Sequence, residues 1–136
     1  PVLVLSEQCP TVDKSLTRGM PNHSTAQMML VAPYFGVDQN GQRAGFSQAF
    51  VDRVRHCEFP QFMWDMLPMA SGPAESLLRL DQLQPMGCHH NAYKFCGYRL
   101  SDEALAVVDE MLGWLLKGGI AEDHDLLAFK DIFGAA

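Results

Sequence analysis

Two clusters in this 136-residue chain carry side chains able to do chemistry. The first is Cys88-His89-His90 with Cys96, joined at a distance by Cys57. Thiolates and imidazoles are the donors that hold zinc, and a structural site needs four of them converging on one point. Adjacent residues seldom aim at a common centre, so the spacing C-H-H-x5-C matches no zinc pattern. The expectation is buried cysteine and surface histidine, with no metal and no cofactor. A metal-stabilised domain that uses Cys88, His90, Cys96 and Cys57 is an alternative. A Cys–His nucleophilic pair would need a proximity that only the fold supplies.

The second cluster is Arg43, Arg53, Arg55 and Arg79, with His56 and the aromatics Tyr34, Phe35 and Trp64. Guanidinium forks grip phosphate through paired hydrogen bonds, and aromatic faces stack on bases. Arg43, Arg53, Arg55, Arg79, Tyr34 and Trp64 are therefore candidates for an anion- or RNA-binding patch. The competing expectation puts Arg53 and Arg55 on the solvated face of a short helix, paired with Asp52 and Glu58. Pro1 offers a secondary amine, a group that titrates near neutrality when it ends a chain. Tautomerases that use such a base place a helix straight after the first strand, which Pro10, Gly19 and Pro21 oppose.

Charge constrains the partner. The net charge is −6, and residues 1–100 hold eight acids and eight bases. The whole excess therefore belongs to residues 101–136, where eight acids face only Lys117 and Lys130. This argues against coating nucleic acid through bulk charge, while a local basic patch stays open. RNA, if bound, is expected away from the C-terminal helices, which suit a basic protein partner instead. No run of about 18 apolar residues is present, so no membrane span is expected. The start PVLVLSEQ lacks the basic region and long apolar stretch of a secretory signal. The expected location is the cytoplasm, with the four cysteines reduced.

The elements that must position these groups read as one domain over 1–136. Val2–Leu5 is a short apolar run with the look of a buried strand, and Gln27–Ala32 is a second one, ended by Pro33. Asn40-Gly41 marks a loop tip. Phe46, Phe50 and Val54 recur at helical spacing behind a capping Ser47. Phe62–Leu67, closed by Pro68, reads as a strand, as does Glu75–Leu80 after a Ser71-Gly72-Pro73 turn. Tyr93–Tyr98 alternates and reads as the last strand. Ser101 caps a helix with Asp102 and Glu103 in its first turn and Gly118 at its end, presenting Leu105, Val108, Met111, Leu112 and Leu115. A further helix is expected near Asp125–Phe133. Phe59–Trp64 is dense in aromatic residues and methionine, as core or as cover for a partner groove or dimer seam. The class is α+β, with strands over 1–100 and helices over 101–136.

The order of four segments resembles the MazF/PemK-type toxin family. Pro1-Val2-Leu3-Val4-Leu5-Ser6 is similar to that family's "PVVVLS" strand, and Leu30-Val31-Ala32-Pro33 to the next strand, which ends at a proline. Glu75–Met86 (ESLLRLDQLQPM) resembles its "LADQVRSID" stretch, and Tyr98–Leu115 its closing helix. The match spans about a third of the chain. It implies a small SH3-like, PemK-type antiparallel β-barrel with C-terminal helices and an insertion around 36–74. For the family it also implies a homodimeric ribonuclease held by a protein antitoxin.

The chemistry does not carry over residue by residue. The family's catalytic arginine directly precedes the first proline, and this sequence opens on Pro1, without the family's GD-type starting strand. The catalytic hydroxyl follows the second strand's proline, where Tyr34-Phe35-Gly36 stands. A transition state at phosphate needs a poised cation and a proton carrier. The expected function is thus a non-catalytic binding module for a protein, a small ligand or RNA, with a homodimer implied by the resemblance. A toxin-like endoribonuclease with displaced catalytic residues is the alternative.

Overall fold

The computed structural model describes residues 1–6, 13–16, 28–37, 46–87 and 93–118. Strands β1 (Val2–Val4), β2 (Met28–Gly36), β3 (Phe62–Met69), β4 (Gly72–Arg79) and β5 (Gln84–Gly87) form one antiparallel sheet in the order β1-β2-β4-β3, with β5 also on β2. β2 is the spine. Its first half pairs with β5 and its last residues with β4, and the sheet curls into a half-barrel. Two α-helices among the described residues complete the α+β fold, α1 (Gln48–Arg55) and α2 (Asp102–Lys117). Among the described residues, no helix is long and apolar enough to cross a membrane. The helix expected near 125–133 and the Asn40-Gly41 loop lie outside the described residues.

Pro33 does not end β2, and the pairing explains why. Leu30 N–H donates to Ser6 Oγ, and Tyr34 N–H to the Pro1 carbonyl, so even-numbered amides face β1. The nitrogen of Pro33 therefore faces the opposite edge. There β5 reaches only to Val31 and β4 begins at Tyr34, with a 3-10 turn at Leu80–Gln82 between them. A missing donor costs nothing where the ladder is already interrupted. Pro68 is likewise inside β3, directly opposite Pro73. The hairpin closes at Met69 and Gly72 across Ala70-Ser71, so the next pair out is the non-hydrogen-bonded one, where neither proline removes a bond. Gly72 holds φ at +115°, a value that favours glycine at the turn.

The stretch Tyr93–Tyr98 is not a strand: it is irregular and exposed, with Gly97 at φ +85°. The place beside β2 belongs to Gln84–Gly87, and Tyr93–Tyr98 pairs with none of the described strands. Sequence reading had missed β5.

The two helices cover opposite faces of the sheet around β3 and β4, while Val2, Val4 and Leu30 on β1 and β2 are exposed. α2 lays Val107, Val108 and Met111 against Ala32, Met63, Leu78 and Leu80. Ser101 Oγ accepts from Ala104 N, and Gly118 ends α2 in the left-handed region at φ +77°. The apolar stripe is rotated from the expected one: Val107 is fully buried, while Leu105 is half-buried. On the other face, Phe35, Phe62, Trp64, Leu77 and Arg79 share one side by register, and α1 packs against β3 there. Ser47 caps α1 by accepting from Phe50 N, and Val51 and Val54 are buried. Phe50 meets Phe62 edge-on at 5.3 Å, within a chain of rings that also holds Phe46 and Phe59.

Candidate functional site

Three of the expected arginines gather on the α1 face, each held by local partners. Arg53 Nε donates to Glu58 at 2.6 Å and its guanidinium lies over Phe59. Arg79 makes a two-pronged pair with Asp81 at 3.1 and 2.6 Å, which pushes its pKa up, and sits over Phe35 and Phe62. Arg55 lies 4.8 Å from the centre of the Trp64 ring, whose indole N–H donates to Glu75. Two of the three guanidiniums thus pair with carboxylates, Glu58 and Asp81, and a third carboxylate, Glu75, accepts from the Trp64 ring on which Arg55 lies. Such a surface has little net field with which to draw a polyanion. Arg43 lies outside the described residues.

Tyr34 is not with them. Adjacent residues of a strand point to opposite faces, so Phe35 goes to Arg79 and Tyr34 to the face that carries Leu78 and Met63. There its hydroxyl donates to Asp65 Oδ2 at 3.1 Å. The two strands are not neighbours, because β4 runs between them. The residues aligned with Asp65 on the other strands are Ser76 and Gly36, small enough to leave the space over β4 open. Burial raises the Tyr34 pKa far above its ordinary value, and the Asp65 carboxylate adds to the rise. Asp65 Oδ1 accepts from Met66 N at 2.8 Å.

This pair lines a cleft of about 600 Å³. Its walls are the outer half of β3 from Met66 to Met69, the start of β1, and the segment Tyr98–Ser101 leading into α2. The lining is mostly apolar, and Met66, Met69 and Tyr98 are exposed at its lips. A volume of this size with a few placed polar groups is typical of small-ligand sites. The charged side chains in its lining are Asp65, half-buried, and Arg99, exposed. Among the described residues, Asp65 makes no ion pair.

Of the expected metal ligands, Cys57 is buried in the core, while Cys96 is an exposed free thiol on the cleft. Cys88, His89 and His90 lie outside the described residues. Among the described residues, no group of three or more metal-binding side chains is placed to hold an ion.

Sequence reading named Tyr34 and missed Asp65, Met66, Met69, Tyr98 and Arg99. One signal was available: Asp65 is the sole charged residue between Glu58 and Glu75, in a run of aromatics and methionines. A lone acid in a half-buried strand has to be satisfied somewhere. Comparison of the chain with protein-family models, with curated proteins and with solved structures found no match.

Proposed function

We propose that this chain is a binding module whose ligand occupies the cleft between β3 and the segment entering α2. The observation that carries the reading is the hydrogen-bonded Tyr34–Asp65 pair set in a mostly apolar cavity of small-ligand size. Such a site supplies apolar area for affinity and a fixed polar anchor for orientation. Binding is favoured over catalysis by the state of the polar groups themselves. The Tyr34 proton is held tightly by burial, so the phenol is a poor acid or base near neutral pH. The Ser101 hydroxyl oxygen is engaged as the cap of α2.

We place the half-barrel with the SH3-like, PemK-type barrels as part of the same proposal. What supports this is order: the segments that carry the resemblance are β1, β2, the run β4–turn–β5, and α2. The break at Leu80–Gln82 lets one edge of β2 be shared by β4 and β5, which turns the sheet's corner.

The test is a fragment library screened by ligand-observed NMR. Hits are expected to weaken on Tyr98→Ala and Met69→Ala, at the lips of the cleft, and to persist on Arg53→Ala on the far face. A library without hits, or hits that depend on Arg53 and not on Tyr98, overturns the reading.

A further inference from the structure

We infer that the ligand of this cleft is a small organic cation: an ammonium head carried on an apolar body. The inference rests on the binding reading above and deepens it by naming the ligand's charge. Asp65 places a carboxylate in a wall otherwise built of methionine, leucine and proline, and its described partners, the Tyr34 hydroxyl and the Met66 amide, are both neutral donors. A half-buried carboxylate that makes no ion pair among the described residues is a group that a cation can complete.

Shape and softness agree with charge. Two aromatic rings, Tyr34 and Tyr98, line the same space, and aromatic faces attract ammonium groups through their quadrupole. The thioethers of Met66 and Met69 are polarisable and adapt to an alkyl chain. Arg99 carries the opposite sign, but it is exposed, where water and salt screen it. Asp65, half-buried, is screened less and therefore sets the preference.

A matched series decides it: n-hexylammonium, n-hexanol and n-hexanoate, titrated by calorimetry at constant ionic strength. The apolar bodies are alike, so differences report the head group. Hexylammonium is expected to bind at least about tenfold more tightly than hexanol, the scale of a charge-assisted hydrogen bond, with hexanoate weakest. Asp65→Asn keeps an oxygen for the Tyr34 hydroxyl and should bring the ammonium down to the level of the alcohol. Tyr98→Ala changes an exposed side chain and should weaken the ammonium several-fold.

Equal affinity for ammonium and alcohol, or tightest binding of the carboxylate, overturns the inference while leaving a ligand-binding cleft. So does an ammonium preference that survives Asp65→Asn. Binding of library fragments at the cleft, but of none of the three probes, has the same consequence. If neither probes nor fragments bind, the binding reading itself falls. Should the Asp65 variant fail to fold, the head-group ranking on the unaltered protein and on Tyr98→Ala still decides.

Discussion

The Tyr34 hydroxyl reaches over β4 to donate to Asp65 Oδ2 at 3.1 Å, joining two strands that do not pair with each other. The bond spans the sheet close to where β2 passes from β5 to β4. It also links stability to pH. The folded protein holds the Tyr34 proton more tightly than the unfolded chain does, because burial and then Asp65 raise its pKa. Its contribution is complete below the ordinary tyrosine value of 10.0 and is lost as pH rises beyond it. Urea denaturation from about pH 8 to 11 should show stability falling near the upper end. Tyr34→Phe should cost about 1 kcal/mol at neutral pH and remove that component of the alkaline fall. Equal alkaline slopes in the two proteins would show that the pair is not its source.

Leu77 and Leu78 are neighbours on β4, both with no exposed surface, and they point to opposite faces of the sheet. Leu78 belongs to the core that α2 covers, and Leu77 faces the α1 side. A sheet covered on one face only would tolerate truncation of one of them. Here Leu77→Ala and Leu78→Ala should each cost about 2–5 kcal/mol, measured by chemical denaturation. A Leu77→Ala loss below about 1 kcal/mol would mean that α1 does not close its face.

The arginine face bears on the RNA reading. Arg53 and Arg79 are paired with Glu58 and Asp81, and Arg55 is stacked on Trp64. Mixed RNA incubated with the purified protein should remain intact on a denaturing gel, and Arg53→Ala or Arg55→Ala should change nothing. Cleavage that disappears in either variant would replace the binding module with a ribonuclease.

What was legible in the sequence is what local chemistry determines. α2 could be read from Ser101, its acidic first turn and Gly118, because caps act within one turn. α1 followed from Ser47 and the Phe50/Val54 spacing. The continuation of β2 through Pro33 was not legible, because it depends on where β4 gives way to β5, nearly fifty residues later. Tyr93–Tyr98 differs for a related reason: alternation proposes a strand, but only pairing with another strand makes one, and this segment pairs with none of the described strands. The cleft joins residues from β1, β2, β3 and the approach to α2, and no local pattern places Asp65 beside Tyr34.

Cys57 supplies a last test, of backbone and core together. It follows the C-terminus of α1 with φ +54°, in the left-handed region where glycine is the usual occupant, yet its side chain is buried in the core. A residue with a Cβ pays about 1 kcal/mol there. Cys57→Ala removes the buried sulfur and keeps that backbone cost, whereas Cys57→Gly loses nearly the same packing and relieves it. Thermal melts should therefore rank the glycine variant above the alanine variant, reversing the order found at ordinary positions, where glycine is the poorer by about 0.5–1 kcal/mol. Alanine melting above glycine would mean that the left-handed turn after α1 is not maintained, and that Cys57 enters the core by another backbone path.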